Sequence, residues 1–243
     1  MATLKEQVDE AVEEVSKSWS KTTWSTTTTA VPDPDDMGYS DAKVVQATYL
    51  YSDLIDSSGL VRAAASHEEV ASVMSAFLKV AVRIIRSENG HIRSFDGDRV
   101  MGVYTGANRQ TRAVRTAMKI EYAVSSLLDP EVQSVFKSLE EASWHIKAMT
   151  GIATSEALLV RAGIRNNSDL LSVGAGPNLA AKLSDLRNTL AGHRIAIGKG
   201  TYGGLDQSVI MSKGKNMWTG PYSISMGGGS YSYYTSNYHW TSL

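Results

Sequence analysis

The sequence predicts an α+β fold, with helices packed on a mainly antiparallel sheet. Three observations point there. Short apolar runs, at residues 44–51 and 145–154 among others, read as strands, and they alternate with long segments whose apolar residues recur at helical spacing. Asp96-Gly97-Asp98, set between two short strand-like runs, reads as a hairpin turn. The resulting order is strand, helix, hairpin, helix, strand, then a further helix and strand, which suits helices laid on an antiparallel sheet. With 243 residues, 42% of them hydrophobic, one globular domain with some decoration is expected.

Taken in chain order, residues 3–20 read as a helix carrying Leu4, Val8, Val12 and Val15 on one side. Residues 20–29 are a polar Ser/Thr-rich stretch that cannot bury much, so residues 1–42 are expected to be a helix and a linker or arm. The compact domain is expected over residues 43–218. Its first strand, residues 44–51, is followed by a helix at 67–87, where Val70, Val73, Met74, Phe77, Val80, Ala81, Ile84 and Ile85 form a wide apolar stripe. Gly90 is its stop signal. Residues 91–95 and 99–104 form the hairpin strands, and a second long helix over 108–128 stops before Pro130. Strands at 145–154 and 170–173, a helix at 178–190 and a strand at 193–197 complete the domain. From Thr219 the composition shifts to Gly, Ser and Tyr, so residues 219–243 read as a C-terminal extension, contributing a hairpin or an arm.

Composition excludes several functional classes. The 24 basic and 25 acidic residues leave a net charge of −1, so no overall field attracts nucleic acid or an anionic membrane. Without cysteine there can be no disulfide, thiolate metal site or cysteine nucleophile. No apolar run approaches the roughly 20 residues of a membrane helix. The acidic, amphipathic start MATLKEQVDEAVEEV is unlike a signal peptide. The expectation is a soluble, cytoplasmic protein.

The chemistry centres on two carboxylates. In YLYSDLIDSS, Asp53 sits at the end of an apolar strand, where an unpaired carboxylate costs several kcal/mol by a rough estimate. Asp98 lies in the hairpin turn. In a strand-helix-hairpin unit the first strand neighbours the hairpin, so both carboxylates can converge at one sheet edge. An oxygen-only pair suits Mg²⁺ or Mn²⁺ bound jointly with substrate phosphates, and two such ions about 3.5–4 Å apart can serve a triphosphate. The structural alternative is that Asp53 caps a helix and Asp98 is a turn aspartate.

The segments YSDLIDSS, SFDGDRVMGVY, MTGIATSEALLV, SVGAGPNLAAKLSDL and SKGK, in this order, resemble the catalytic domain of class III nucleotidyl cyclases over residues 43–218. The resemblance implies a ferredoxin-like βαββαβ sandwich working as a head-to-tail homodimer, with active sites between the subunits. It also implies two Mg²⁺ or Mn²⁺ ions per site, held by Asp53, Asp98 and the Leu54 carbonyl, and a phosphate cradle of backbone amides at Asp56, Ser57 and Ser58. Asn178 looks like the residue that orients the ribose from the partner subunit. Lys182 stands where the family has a transition-state arginine, keeping the charge but not the bidentate geometry. Lys213, with Lys215, matches the lysine on the terminal phosphates.

The departures concern the base. The family's adenine-reading lysine and aspartate are replaced by Ser94 and Leu171, and the guanylate pattern is also absent. This combination resembles the Pycsar pyrimidine cyclases, which make 3′,5′-cyclic UMP or CMP for a separate effector in bacterial antiphage defence. Tyr51, two residues before Asp53 and on the same strand face, is the first candidate for the base. Ser94 and Asp96 are the next. The reading is a UTP cyclase; a CTP or purine cyclase and a non-catalytic cyclase-homology module are the alternatives. No nucleic-acid or membrane partner is expected.

Overall fold

The structure, a computed structural model, describes residues 2–17, 24–27, 30–39, 41–164, 166–187 and 192–243. In chain order the elements are α1 (Leu4–Lys17), β1 (Trp24–Thr27), β2 (Ala42–Leu54), α2 (Ser57–Ala63), α3 (His67–Ser87), β3 (His91–Asp96), β4 (Arg99–Tyr104) and α4 (Arg109–Tyr122). There follow α5 (Asp129–Val135), α6 (Lys137–Glu141), β5 (Ala148–Ile164), β6 (Asn167–Val173), α7 (Ala175–Ser184), β7 (Ile195–Gly198) and α8 (Lys199–Tyr202). The last strands are β8 (Met211–Ser212), β9 (Lys215–Asn216), β10 (Thr219–Met226) and β11 (Gly229–Ser236).

The main sheet runs β10-β11-β7-β5-β2-β4-β3, with β1 alongside β2 and β6 alongside β5. Its central order β5-β2-β4-β3, all antiparallel, joined by α3 and α4, is the βαββαβ unit the resemblance implied. The one parallel pairing inside this path, β5 with β7, follows the crossover through α7. Residues 219–243 add the β10–β11 hairpin to the β7 edge, and Tyr234, Tyr238 and Trp240 pack against the core. Within the Ser/Thr-rich stretch, β1 pairs with the start of β2.

Each face of the sheet has its own core. On one side α3 and α4 cover Leu50, Leu54, Val100 and Ile152, and the α3 stripe of Val73, Phe77, Ala81, Ile84 and Ile85 is buried there. A fully buried Phe77 contributes about 1.5–3 kcal/mol of hydrophobic stabilisation. Ser66 begins α3 by accepting from the Glu69 N–H at 3.3 Å. On the other side α7 buries Leu179, Ala180 and Leu183 against Tyr49, Met149 and Ala153. α7 lies close because position 151 is glycine: a Cβ there would meet the Ala180 carbonyl oxygen at 2.2 Å and the Ser184 nitrogen at 2.3 Å.

Three helix boundaries differ from the sequence reading. The helical path does not stop before Pro130; a π turn over residues 123–128, closed by the Asp129 N–H donating to the Val124 carbonyl oxygen, leads directly into α5, so the i→i−4 ladder is already interrupted where Pro130 stands. α7 begins at Ala175 rather than at residue 178, because Pro177 is likewise tolerated in a first turn. α7 also ends at Ser184, leaving Asp185, Leu186 and Arg187 outside the helix expected to reach residue 190; residues 188–190, and residues 18–20 of the N-terminal helix, lie outside the described residues. No described helix is long and apolar enough to cross a membrane.

Candidate active site

β2 supplies the first carboxylate near its C-terminal end, and the β3–β4 hairpin is its neighbour. Across the ladder Asp53 lies opposite Arg99, which lies opposite Asp96; Tyr51 lies opposite Met101, which lies opposite Ser94. Directly opposed residues share a face. Two adjacent rows therefore cross the sheet, an ionic row of Asp53, Arg99 and Asp96 and a softer row of Tyr51, Met101 and Ser94. The Ser94 Oγ is 3.7 Å from the Met101 Sδ, and the Arg99 guanidinium stands 5.5 Å from the centre of the Tyr51 ring. Asp98 follows Gly97, whose φ of +60° closes the tight turn between β3 and β4.

Asp53 is only 8% exposed. Burial pushes its carboxyl above the usual range, and the negative charge of Asp98 adds to the rise. The hydrogen bond and charge of Arg187, then the charge of Arg99, act in the opposite direction. Asp98, in the turn of the neighbouring hairpin, is thus close enough for its charge to be felt at Asp53. Burial also raises the Tyr51 hydroxyl, with Arg99 opposing and Asp96 adding to the effect. Its hydroxyl is a neutral donor at physiological pH.

Leu54 sends its side chain into the core, leaving the carbonyl as the group it could offer. Asp56 adopts the left-handed conformation, and its carboxylate caps α2 by accepting from the Gly59 N–H at 3.1 Å. The Ser57 and Ser58 N–H groups stand at the helix start, where no intrahelical acceptor exists. Asn178 and Lys182 are one turn apart on the exposed side of α7. Lys213 forms the β8–β9 turn with φ of 49°, and Lys215 follows it, both exposed. Among the described residues no recorded bond or ion pair joins Asn178, Lys182, Lys213 or Lys215 to Asp53 or Asp98. Leu171 is 52% exposed on β6.

Three charged residues at this edge escaped the sequence reading. Arg187 Nη2 lies 3.2 Å from Asp53 Oδ2, Arg99 Nη2 lies 2.8 Å from Asp96 Oδ2, and Arg99 Nη1 lies 3.5 Å from Asp185 Oδ1. Strand alternation could have found Arg99, which directly follows Asp98 and faces Asp53 once the register is known. Nothing local marks Asp185 or Arg187, since Arg187 meets Asp53 across 134 positions of chain.

The donor set fits a divalent cation. Among the described residues no group of three or more His, Cys, Asp or Glu converges. Two carboxylates, a carbonyl and substrate oxygens are the partial, oxygen-only shell that Mg²⁺ or Mn²⁺ accepts. The buried Asp53, whose carboxyl feels the charge of the half-buried Asp98, is the group such an ion would relieve.

No protein-family model matches the chain. The chain is 36% identical to a uridylate cyclase of Burkholderia cepacia over 217 residues, 88% of this chain and 90% of that protein. It is 34% identical to one of Xanthomonas perforans over 73% of each. To one of Rhodovulum sp. (strain MB263) it is 39% identical over 158 residues, spanning 65% of that relative's length. Among solved structures, the guanylyl cyclase Cya2 superposes with a TM-score of 0.65 at 20% identity, over 85% of this chain and 97% of that one. A bacterial light-regulated adenylyl cyclase gives 0.68 at 18% identity, over 84% and 55%. These structures share the fold, and with 36% identity across nine-tenths of a curated relative, the chain belongs to the uridylate cyclases, a family of nucleotide cyclases.

Proposed function

We propose that the protein converts UTP to 3′,5′-cyclic UMP and pyrophosphate in a head-to-tail homodimer. The observation that carries this is the pair of rows: Asp53, which feels the charge of Asp98 from the adjoining turn, stands in the row directly beside Tyr51, Met101 and Ser94. Phosphate chemistry and base contact are thus supplied by adjacent positions of one sheet edge. The names of the relatives supply the choice of UTP, which the geometry supports through the absence of a charged purine reader at Ser94 and Leu171.

In the reaction the ribose 3′-oxygen bonds to the α-phosphorus, the bond to the bridging oxygen breaks, pyrophosphate leaves and the 3′-hydroxyl proton is released. Two Mg²⁺ or Mn²⁺ ions, when held by Asp53, Asp98 and the Leu54 carbonyl, would acidify the 3′-hydroxyl and neutralise the triphosphate. The free N–H groups of Ser57 and Ser58 hold phosphate oxygens. Tyr51 offers its hydroxyl to the pyrimidine edge, with Ser94 and Asp96 beside it; Arg99 over the Tyr51 ring fixes that ring and narrows the space for a second fused ring. Asn178 and Lys182, pointing to solvent from α7, serve the partner's site, ordering the ribose and meeting charge at the α-phosphorus. Lys213 and Lys215 meet the terminal phosphates. The resemblance to the Pycsar cyclases supports the further reading that cyclic UMP signals to a separate effector in antiphage defence.

The test is turnover by folded variants. Asp53→Ala and Asp98→Ala should each lose about 1,000-fold or more of cyclic UMP formation. Tyr51→Ala should fold, retain slow turnover and lose its preference for UTP. Undiminished cyclisation by folded Asp53→Ala would defeat the assignment.

A further inference from the structure

The loop after α7 forms a double clasp on the catalytic edge. Asp185 pairs with Arg99 at 3.5 Å and Arg187 pairs with Asp53 at 3.2 Å, while Asp53 and Arg99 are themselves ladder partners. A second hydrogen bond steadies Arg187, whose Nη1 donates to the Ser184 carbonyl oxygen at 2.9 Å. The two sides of the Arg187 pair are unlike. The Asp53 side chain is 12% exposed and fixed in a strand; the Arg187 side chain is 42% exposed on a loop. The edge also has too little positive charge. Three carboxylates, of Asp53, Asp96 and Asp185, share the two guanidiniums of Arg99 and Arg187, and the charge of Asp98 is felt at Asp53 as well.

From this we infer that Arg187 is a resting counter-ion of Asp53 that a divalent cation displaces, and that the released guanidinium then holds the triphosphate. This rests on the reading of Asp53 as a cation ligand. An arginine and a divalent ion compete for the same lone pairs of Asp53 Oδ2, and the exposed loop partner is the one able to leave. A displaced Arg187 stays tethered by α7 next to the site, where a bound nucleotide's phosphate chain offers it a denser negative charge than any single carboxylate of the edge. A guanidinium forks onto two phosphate oxygens, the geometry Lys182 cannot supply. The arrangement makes cation binding and triphosphate binding cooperative: cation alone must pay for breaking the pair, whereas cation with nucleotide gives Arg187 a new partner.

The experiment measures Mn²⁺ binding to the full-length protein without nucleotide, by the paramagnetic resonance of free Mn²⁺, alongside the KM for UTP. Arg187→Met keeps the stem and removes the charge. It should tighten Mn²⁺ binding by about three- to tenfold, the scale of a partly exposed charge-assisted pair. The same variant should raise the KM for UTP by about tenfold, and Arg187→Lys should fall between it and the parent in both. A structural role would weaken both or neither, so the opposite signs are diagnostic. Unchanged or weaker Mn²⁺ binding by Arg187→Met overturns the inference, provided Asp53→Asn weakens it. Tighter Mn²⁺ binding with an unchanged KM overturns the triphosphate role. If Asp53→Asn leaves Mn²⁺ binding unaltered, the cation reading of Asp53 fails and this inference with it.

Discussion

Asp53 is a residue held against its own preference. A carboxyl whose pKa is raised by burial and by Asp98 makes ionisation unfavourable to the fold. The destabilisation is absent at low pH and grows as pH rises through the ordinary carboxylate value of 3.8 and then the raised folded value. Asp53→Asn should therefore raise the melting temperature of the cation-free protein at pH 7.5, and the gain should shrink as pH falls toward 3.8. A thermal melt series against pH checks both the sign and the window. At this scale the sequence was legible where chemistry is local. Tyr51 and Asp53 share the strand face that alternation gives them, Ser94 and Asp96 share theirs, and Asp98 falls in the hairpin turn read from Asp96-Gly97-Asp98. Arg187 was illegible because its significance depends on a contact between the first strand and a loop far along the chain.

Elements set how near these residues come. The β3–β4 hairpin turns through Gly97 and Asp98, which sets Arg99 opposite both Asp96 and Asp53, and that closing pair was implicit in Asp96-Gly97-Asp98. α7 depends on Gly151, where the helix backbone occupies the space of a side chain. Gly151→Ala should destabilise the fold by about 1–3 kcal/mol, as overpacking against backbone does. It should also loosen the Arg187 clasp, seen as faster hydrogen exchange at residues 185–187. Helix boundaries were the least legible feature. A Pro reads as a stop, yet Pro130 and Pro177 both sit in first turns, and only the local hydrogen-bond pattern reveals that they interrupt nothing. The small β8–β9 turn that presents Lys213 has too few apolar residues to announce itself.

The whole molecule divides the site residues into two groups. Asp53, Asp98 and Tyr51 gather at one sheet edge, whereas Asn178 and Lys182 face outward from α7. The proposed head-to-tail dimer joins the groups across subunits. Inactive Asp53→Ala mixed and refolded with inactive Asn178→Ala should then recover about a quarter of parental activity, since half the dimers are mixed and each carries one intact site. Function in cis predicts no recovery. The fold itself was readable because strand, helix and hairpin signals agreed in order, while the place of residues 219–243 in the main sheet was hidden by their unusual composition.

Above all, we propose that this edge cyclises a pyrimidine nucleotide. The most direct test incubates the purified protein with Mn²⁺ and each of UTP, CTP, ATP and GTP separately, and identifies the products by mass. The account predicts 3′,5′-cyclic UMP with pyrophosphate from UTP and little product from either purine. Cyclic AMP or cyclic GMP as the main product, or no cyclic nucleotide from any of the four, would contradict it.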